Sequence, residues 1–457
     1  MIELTKNALH LFPTRIFIIF MLFGGIFQSN SISAQGWEQV YSEGVINSGE
    51  SLQKTADGGG IILGHSRETS DSNANVLLIK VDNNGTEEWS QTLGSVGSED
   101  FGLFVQQTAD GGYIITGKTH LEGCNGEDGG WNILLIKTYP NGLPQWTKIL
   151  GGSLNDVGWS VCQTTDGGYA IAGYTVTGWW DVEGDFKEVY LVKTDEDGNE
   201  EWSQTFGDEE MTAIGHSVEQ TSDGGFIIGG RIGPGRKIQN NTTSDAYLLK
   251  TDESGLELWS QTYGGAYFDG AYSVQQTTDG GFIFSGLFTG ANGLSDVYLV
   301  KTNANGNEEW SQIYGNNDAQ SYGRSVLQTA DGGYIIGGTG DNDMILIKVT
   351  EMGEQEWLQN FGTADTTEAG NAAVQSNDGC YFILGTIGTT WGNDGQSEAY
   401  LVKTCGETGS SINVLHAPSK KLDRIIDLRG RLVEPSVNQI LLYIYDDGSV
   451  ERRCIVE

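Results

Sequence analysis

Residues 273–315 read SVQQTTDGGFIFSGLFTGANGLSDVYLVKTNANGNEEWSQIYG, and this stretch is one copy of a unit that fills most of the chain. Three markers identify each copy: an Asp-Gly-Gly tripeptide, a Leu-x-Lys triplet and a Trp that is usually followed by Ser-Gln. The tripeptide begins at Asp57, Asp110, Asp166, Asp223, Asp279 and Asp331, with an Asp-Gly-Cys variant at Asp378. The triplet ends at Lys80, Lys137, Lys193, Lys250, Lys301, Lys348 and Lys403, and the Trp stands at 37, 89, 146, 202, 259, 310 and 357. Seven copies of each marker establish an internal repeat.

Each unit is predicted to form four β-strands, which we label A to D. The four segments are represented by Ser273–Thr277, Gly168–Gly173, Tyr190–Thr194 and Glu257–Gly264, which are short runs rich in β-branched and aromatic residues between Gly and Asp. Units of about 50 residues with four strands each are typical of propeller blades. The fold is therefore predicted to be all-β, a seven-bladed β-propeller of four-stranded blades.

The order of the markers predicts how the ring closes. Trp37 precedes the first Asp-Gly-Gly, whereas the last copy stops at Thr404 without a Trp-bearing strand. We expect residues 37–41 to supply strand D of the last blade, beside 398–404, which removes the open sheet edge between first and last blades. The propeller would then span residues 36–405.

The repeated residues are expected to be structural. The seven Trp side chains should pack between neighbouring blades, with stacking on a cofactor as the alternative. The T-x-D-G-G-[YF] corner resembles the Asp-box of other propellers, which is itself a folding motif. Each Lys at the end of strand C is predicted to pair with the Asp of its own blade, as an exposed brace of about 1 kcal/mol.

Composition and charge exclude several classes of protein. Glycine accounts for 67 residues and proline for 6, which argues against collagen, and 38% hydrophobic residues argue against disorder. Acidic residues outnumber basic ones by 61 to 25, giving a net charge of -36. A surface of this sign repels phosphate backbones, so no nucleic-acid partner is expected.

Residues 1–35 are predicted to be a secretory signal peptide. Lys6 and Arg15 provide a basic segment, Ile16 to Phe27 are largely apolar, and small residues end at Ala34. The apolar run is shorter than the roughly 20 residues of a membrane span, so no transmembrane segment is expected in the mature protein. We also expect the protein to be a monomer.

The two ends of the predicted propeller differ in their connections. The A–B and C–D turns form one end, the corner face, while the B–C and D–A connections form the other, the loop face. The corner face is uniform, whereas the loop face is expected to carry all Trp residues outside the repeated column: Trp131, Trp159, Trp179, Trp180 and Trp391. The alternative is that these Trp residues pack the long loops on themselves. The position before strand A should ring the channel mouth: Glu50, Leu103, Trp159, His216, Tyr272, Arg324 and Asn371.

Signals for metal sites and catalysis are weak. Asp181, Glu183 and Asp185 alternate as in a calcium loop, but Phe186 stands where an EF-hand needs Gly. We therefore expect no metal or cofactor, with calcium as the alternative. No catalytic residues are predicted, because the chain lacks a G-x-S-x-G nucleophile elbow and has few arginines for a sialidase-type cluster.

Five cysteines are an odd number for a secreted chain. Cys380 opens strand B of blade 7 and Cys405 ends strand C of the same blade. Antiparallel pairing brings these two ends side by side, so we predict a disulfide between them. Cys124, Cys162 and Cys454 have no predicted partner.

The tail, residues 406–457, differs in composition from the repeats and contains a hairpin signal at Asp447–Gly448. Asp427, Gly430, Arg431, Tyr443, Gly448 and the final Ile-Val-Glu carry the resemblance: the tail resembles the type A C-terminal sorting domain of the type IX secretion system. This resemblance implies the secretion machinery as a partner and a location outside the cell or on the outer surface of a Gram-negative bacterium. The alternative is a β-rich cap on the propeller.

These observations predict a non-enzymatic secreted or surface propeller that binds a carbohydrate or a protein through its loop face. The candidate ligand-binding residues are Trp131, Trp159, Trp179, Trp180, Trp391, His216, Tyr272 and Arg324. Two alternatives stay open: a propeller hydrolase or lyase acting on extracellular polysaccharide, and a structural scaffold without a ligand.

Overall fold

The fold was determined as a computed structural model of the whole chain. It describes residues 36–41, 46–67, 72–95, 97–121, 130–177, 186–207, 211–234, 243–315, 319–362, 366–388, 397–405, 422–427, 439–445 and 450–455. In this part of the chain the regular elements are all β-strands. No helix long and apolar enough to cross a membrane occurs in the described part.

The strands follow the chain in an unbroken series. They are β1 Trp37–Tyr41, β2 Ile46–Asn47, β3 Ser51–Lys54, β4 Gly60–Arg67, β5 Asn75–Val81, β6 Glu87–Leu93, β7 Ser98–Gln107, β8 Tyr113–Leu121, β9 Asn132–Thr138, β10 Pro144–Leu150, β11 Asp156–Gln163, β12 Tyr169–Val176, β13 Lys187–Thr194, β14 Glu200–Phe206, β15 Met211–Gln220, β16 Phe226–Pro234, β17 Asp245–Thr251, β18 Glu257–Tyr263, β19 Gly270–Gln276, β20 Phe282–Thr289, β21 Ser295–Thr302, β22 Glu308–Tyr314, β23 Ser321–Gln328, β24 Tyr334–Gly340, β25 Asp343–Val349, β26 Gln355–Phe361, β27 Thr367–Gln375, β28 Tyr381–Gly388, β29 Ser397–Thr404, β30 Leu422–Asp427, β31 Gln439–Tyr445 and β32 Val450–Ile455.

Seven antiparallel sheets form the blades of a propeller, as the repeat predicts. Strands β3–β6 form blade 1, in which the short β2 also pairs with β4, and blades 2 to 6 follow as consecutive groups of four strands from β7 to β26. Blade 7 has the order β1-β29-β28-β27. The prediction of an all-β, seven-bladed propeller with four-stranded blades is confirmed.

The N-terminal strand closes the ring. Strand β1 pairs antiparallel with β29, with Trp37 opposite Lys403 and Tyr41 opposite Ala399. This register is the one expected from the missing last strand, so the predicted closure is confirmed. Because β1 provides the outer strand of blade 7, β29 has partners on both sides and presents no open edge.

The apolar core lies between neighbouring blades. Each of the seven core clusters draws its side chains from two adjacent blades, such as Val300 and Ile227 at the contact of blades 5 and 4. The repeated Trp belongs to these layers, and six of the seven contact the aromatic residue that opens strand B of the next blade: Trp89–Tyr113, Trp146–Tyr169, Trp202–Phe226, Trp259–Phe282, Trp310–Tyr334 and Trp357–Tyr381.

Blade 1 departs from this pattern because Gly60 occupies the aromatic position. Trp37 instead contacts Phe382 of its own blade, with ring centroids 5.7 Å apart. Its indole ring still lies over Gly85 in the C–D turn of blade 1. The predicted packing of the Trp column between blades is therefore confirmed, with one local variation at the ring closure.

The Asp-Gly-Gly corners are held by hydrogen bonds centred on the Asp carboxylate. In blade 5, Asp279 Oδ1 accepts hydrogen bonds from the Thr277 hydroxyl at 2.5 Å and from the Gly281 N–H at 3.0 Å. A Cβ on Gly281 would lie 2.2 Å from the carbonyl oxygen of Thr302, which explains why the second glycine is required. The corner is thus a folding motif, as the sequence indicates.

The predicted ion pair between Lys and Asp occurs in all seven blades. The Nζ–Oδ distances run from 2.6 Å to 3.0 Å, in the pairs Lys80–Asp57, Lys137–Asp110, Lys193–Asp166, Lys250–Asp223, Lys301–Asp279, Lys348–Asp331 and Lys403–Asp378. The pairing is confirmed, but the expectation of an exposed brace is wrong. Only 5% of the Lys301 side chain is exposed, so each brace holds a buried ammonium group.

Burial and ionisation of the brace are coupled. Burial by itself would raise the pKa of Asp279, but hydrogen bonds from Thr277 and Lys301 and the Lys301 charge lower it to about 2. Lys301 also contacts Glu309 of strand D at 3.0 Å, whereas Lys250 in blade 4 has Leu258 at the matching position. Removing the Asp would therefore have different consequences in different blades.

Two features lie after the last blade strand. Cys380 and Cys405 are joined by a disulfide across strands B and C of blade 7, the pair predicted from the sequence. In the tail, β30, β31 and β32 form a separate three-stranded antiparallel sheet. Asp427 ends β30 and Tyr443 lies in β31, while Gly430, Arg431 and Gly448 lie outside the described residues.

Candidate functional site

A bulge in strand A positions the predicted mouth residues. In blade 3 the pairing of β11 with β12 shifts between Gly158 and Ser160, which leaves Trp159 out of register. The same shift occurs in the other blades from 2 to 7, at Leu103, His216, Tyr272, Arg324 and Asn371. A bulged residue is free of the ladder and can turn its side chain away from the sheet.

The prediction that Trp159 comes before strand A, in the D–A connection, is therefore wrong. Trp159 lies inside β11, which begins at Asp156. The strand starts earlier than predicted because Asp156, Val157 and Gly158 already pair with Thr175, Tyr174 and Gly173 of β12. The Asp156 N–H also donates a hydrogen bond to the carbonyl oxygen of Trp131 at 2.7 Å, across the contact with blade 2. In blade 1, Glu50 comes directly before β3 and takes the corresponding place.

A cavity of about 340 Å³ runs along the propeller axis and is lined by strand A of every blade. We call its upper layer, on the side of the loop face, the mouth ring: Glu50, Leu103, Trp159, His216, Tyr272, Arg324 and Asn371. The next residue is Ser in most blades, and its hydroxyl accepts a hydrogen bond from the following blade, as Ser160 does from the Val218 N–H at 3.2 Å. These bonds fix the strands that carry the ring.

Four neighbouring members of the mouth ring form a continuous series of contacts across blades 3 to 6. The rings of Trp159 and His216 have centroids 5.6 Å apart, and those of His216 and Tyr272 are 5.1 Å apart, both in edge-on geometry. The guanidinium of Arg324 lies 4.9 Å from the Tyr272 ring centroid. The structure thus brings together four of the predicted ligand-binding residues.

The electrostatics of this half of the mouth ring are positive. Burial, followed by the charges of Arg231 and Arg324, lowers the pKa of His216 to about 3 and keeps the imidazole neutral. Nε2 of His216 and Nε1 of Trp159 are both inaccessible and have no hydrogen-bond partner among the described residues. These two nitrogens are therefore closed to a ligand, and the exposed guanidinium of Arg324 is the polar group through which this half can bind one.

The other half of the mouth ring is occupied by contacts within the protein. Asn371 Nδ2 donates a hydrogen bond of 2.6 Å to the carbonyl oxygen of Gly49, which ties blade 7 to blade 1. Glu50 lies 3.7 Å from Nδ1 of His65, and that nitrogen also lies 2.7 Å from the Ser48 hydroxyl. Burial lowers the pKa of His65, so Glu50 lies against a neutral imidazole.

Trp131 lies in a second cluster, on the loop face between blades 1 and 2. Its ring is 5.6 Å from that of Phe101, and the Lys118 ammonium lies over both rings at 4.4 Å and 4.9 Å. Arg67 lies over Phe101 on the same side and pairs with Glu99. Trp131 is thus separate from the mouth ring, because it does not line the cavity.

Deeper in the cavity lies a layer formed by the third residue of the S-V-x-Q-T segment. Gln106 and Gln275 occupy it in blades 2 and 5, and each accepts an N–H from the next blade through its amide oxygen. Glu219 does the same in blade 4, where its Oε2 accepts the Gln276 N–H at 2.6 Å. Burial raises the pKa of Glu219 to about 7, although this hydrogen bond acts to lower it.

Several predicted residues lie outside the described part of the chain. They are Trp179, Trp180 and Trp391 of the B–C connections, and the acidic residues Asp181, Glu183 and Asp185. Within the described residues, no three His, Cys, Asp or Glu side chains are grouped so as to hold a metal ion. In the C–D hairpin of blade 3, Asp195 Oδ1 accepts hydrogen bonds from the N–H groups of Asp197 and Asn199. The carboxylate of Asp195 therefore stabilises the turn.

The sequence analysis missed Arg231 and Glu219. Arg231 lies near the end of β16, over the ring of Phe268 at 4.8 Å. Its contribution could have been suspected because arginine is rare in the repeats. Glu219 could have been found by aligning the seven copies of S-V-x-Q-T, since it is the one acid at that position, beside Gln53, Gln106 and Gln275.

No protein-family model and no curated protein matches the chain. A solved streptogramin B lyase resembles it over 80% of this chain and 97% of its own, at 10% identity and a TM-score of 0.49. Sqt1 from Chaetomium thermophilum resembles 78% of this chain over 87% of its own, at 12% identity and a TM-score of 0.43. A puromycin hydrolase resembles 87% of this chain over 58% of its own, at 12% identity and a TM-score of 0.45. Similarity at this level carries no argument about ligand or activity.

Proposed function

We propose that this protein is a secreted or cell-surface, non-enzymatic binding module that takes a carbohydrate or protein ligand at the mouth ring. The observation that carries this proposal is the contrast within strand A. Its serine and valine positions repeat from blade to blade, while the mouth ring has seven different residues around one cavity. A rigid scaffold that presents a varied set of side chains at one opening is the usual design of a binding site.

A carbohydrate fits the mouth ring better than a protein surface does. Trp159 and Tyr272 offer partly exposed aromatic faces, against which the apolar face of a sugar ring can pack. The exposed guanidinium of Arg324 lies beside the Tyr272 ring and can donate hydrogen bonds to hydroxyl groups. A cavity of about 340 Å³ is at the lower end of the range for small-molecule pockets.

The route of export is part of the same proposal. Residues 1–35 would direct the chain across the inner membrane, and the tail would engage the type IX secretion machinery at the outer membrane of a Gram-negative bacterium. Support comes from the resemblance of the tail to the type A sorting domain and from its described strands, β30 to β32, which pair with one another. Removal of the tail should retain the protein in the periplasm.

A hydrolase or lyase acting on extracellular polysaccharide is the second candidate, and Glu219 is the observation that favours it. A carboxyl with a pKa of about 7 in the wall of the cavity is suited to accept and donate a proton near neutral pH. Incubation of polysaccharides with the wild type and with Glu219→Gln tests this function. Turnover that disappears in the variant would establish an enzyme in place of a binding module.

Binding screens with matched variants test the first proposal. The full chain is applied to glycan and protein arrays beside Tyr272→Ala and Trp159→Ala, with Tyr139→Ala as control, because Tyr139 is 52% exposed on the corner face. We expect a glycan ligand whose affinity falls at least about ten-fold in the two mouth variants and stays unchanged in the control. A ligand that binds all four proteins equally would reject the mouth ring as the site.

A further inference from the structure

We infer that the ligand of the mouth ring is an acidic sugar, whose carboxylate or sulfate group is held by Arg324 and Arg231. This inference rests on the binding function proposed above and narrows its ligand class. The inference depends on the positions of the few basic side chains in a strongly acidic chain, which the fold alone does not determine.

Basic side chains are divided between the two ends of the propeller. At the corner face, the seven brace lysines are buried and paired with Asp. Five further basic residues of the described part lie toward the loop face, each over an aromatic ring: Arg67, Lys118, Lys187, Arg231 and Arg324. Although the net charge of the chain is -36, the loop face therefore carries basic groups that lie over aromatic rings, where they can attract an anionic ligand.

Arg231 and Arg324 differ from the other loop-face arginine that the structure describes. Arg67 pairs with Glu99, whereas neither Arg231 nor Arg324 forms an ion pair within the described residues. Arg324 is exposed and lies between the rings of Tyr272 and Tyr322, at 4.9 Å and 5.0 Å. Carboxylates are abundant in this chain, so two arginines left without one beside a cavity are available for an anion from outside.

The two guanidinium groups act on the same place. Both charges lower the pKa of His216, after burial, and both act on the Tyr272 hydroxyl, whose pKa is raised mainly by burial. His216 is consequently neutral and adds no charge to this region. Arg231 reaches this place from strand B of blade 4 and Arg324 from strand A of blade 6, on either side of Tyr272.

No acid in the described lining of the cavity forms an ion pair with Arg324. Glu50 is two blades away, with Asn371 between them, and its carboxylate lies against the ring of His65. Glu219 is deeper, and its carboxyl is partly protonated at neutral pH because burial raises its pKa to about 7. An anionic group at Arg324 therefore meets that guanidinium in the cavity, with Arg231 beside the cavity and against Gly270, two residues before Tyr272.

Aromatic faces next to arginines are suited to a sugar that carries an acid group. The planar guanidinium forms two parallel hydrogen bonds with a carboxylate or a sulfate, which a neutral hydroxyl cannot reproduce. Tyr272 and Trp159 would contact the ring of the same sugar. A free inorganic anion would use the arginines but not the aromatic faces.

Calorimetric titration of the full chain tests the inference with three probes of equal length: tetragalacturonate, a sulfated galactotetraose and neutral galactotetraose. The variants are Arg324→Gln, Arg231→Gln and Arg324→Lys, and the control is Lys187→Gln, which removes a loop-face charge over Tyr174, away from the cavity lining. We expect one of the acidic probes to bind at least about ten-fold more tightly than the neutral one. Each Gln variant should remove this preference, Arg324→Lys should restore part of it, and the control should keep it.

The outcomes separate this inference from the proposed function. Equal affinity for the acidic and neutral probes, or a preference that survives both Gln variants, overturns the acidic ligand but leaves a carbohydrate site in place. Loss of neutral-sugar binding in Tyr272→Ala would still support that site. Binding of sodium sulfate with the affinity of the sulfated probe also overturns the inference, since it would show a site for a bare anion. We also expect the affinity for the acidic probe to fall when the salt concentration is raised from about 0.05 M to about 0.5 M. Salt screens the attraction between an exposed arginine and an anionic group.

Discussion

The corner face and the mouth ring are built from the same seven repeats, yet they use repetition in opposite ways. At the corner face every blade has the same Asp, the same buried Lys and the same turn, as in Asp279 and Lys301 of blade 5. At the mouth ring each blade has a different side chain, from Leu103 to Arg324. The two sets lie at opposite ends of the blades.

The difference shows where this fold keeps its stability and where it can vary. A corner residue contacts its own blade and the next one, as the Thr278 N–H does when it donates to Gln328 Oε1 at 3.0 Å, so a change there weakens two blades at once. A mouth residue sits in a bulge, outside the strand ladder, and a change there leaves the backbone hydrogen bonds in place. Substitutions should therefore affect stability at one end and binding at the other.

The largest effect is expected from removing one brace. Asp223→Ala leaves the Lys250 ammonium, 5% exposed, without a carboxylate, and should lower the free energy of unfolding by about 4 kcal/mol. Asp279→Ala removes the same corner hydrogen bonds but leaves Lys301 with Glu309 at 3.0 Å, so its cost should be smaller. Chemical denaturation of the two variants measures the difference.

A second substitution isolates the charge. In Asp223→Ala/Lys250→Met the buried ammonium is gone, and we expect much of the lost stability to return. Equal costs for Asp223→Ala and Asp279→Ala, with no recovery in the double variant, would mean that the corner depends on its hydrogen bonds and not on the ion pair.

A smaller effect is expected where one blade packs on the next. Gly306 has φ +76° and lies under the Trp259 ring, so that an added Cβ would be 2.7 Å from Cζ3 of the indole. Gly306→Ala should cost about 3 kcal/mol, from backbone strain and from displacement of the Trp. Gly280→Ala is the matched control, because Gly280 has φ +84° with nothing within 4 Å of an added Cβ, and should cost about 1 kcal/mol. Thermal unfolding that gives the same loss for both would show that the Trp contact contributes nothing.

The repeated features could be predicted from the sequence, because each recurs seven times and its meaning follows from spacing. The blade count, the closure by residues 37–41 and the pairing of each Lys with its Asp all came from the order of the markers. These predictions succeed because the order of the strands along the chain and their antiparallel pairing determine which strand ends lie side by side.

What could not be predicted depends on strand pairing and blade packing, which the spacing of the repeats does not describe. The bulge that puts Trp159 in the cavity depends on how β11 pairs with its neighbours, and nothing in a Gly-Trp-Ser sequence indicates it. The burial of the brace lysines depends on the neighbouring blade, which sequence spacing does not describe. Arg231 lies beside the mouth ring, at a position of strand B where the residue varies from blade to blade, so its place follows from the packing of blade 4.

The smallest effect is expected in the cavity, at Glu219. Its pKa rises on folding from the ordinary 4.5 to about 7, so the folded state binds more protons than the unfolded state between these values. The contribution of Glu219 to the free energy of unfolding is therefore greatest below pH 4.5, falls as the pH rises toward 7, and stays low above pH 7. Glu219→Gln preserves the acceptor for the Gln276 N–H and removes the titration, so it should match the wild type near pH 4.5 and exceed it by about 1–2 kcal/mol at pH 8.

The equivalent glutamine of blade 5 provides the reverse experiment for this pH effect. Gln275 accepts the Gln328 N–H at 2.8 Å from the same layer of the cavity, so Gln275→Glu introduces a second acid in an equivalent setting. That variant should lose stability relative to the wild type as the pH rises above 4.5, in the opposite sense to Glu219→Gln. Thermal midpoints measured from pH 4.5 to 8 compare the three proteins directly. If the gap between Glu219→Gln and the wild type does not change with pH, the carboxyl is hydrated, and this layer of the cavity belongs with the tolerant mouth ring and not with the corner face.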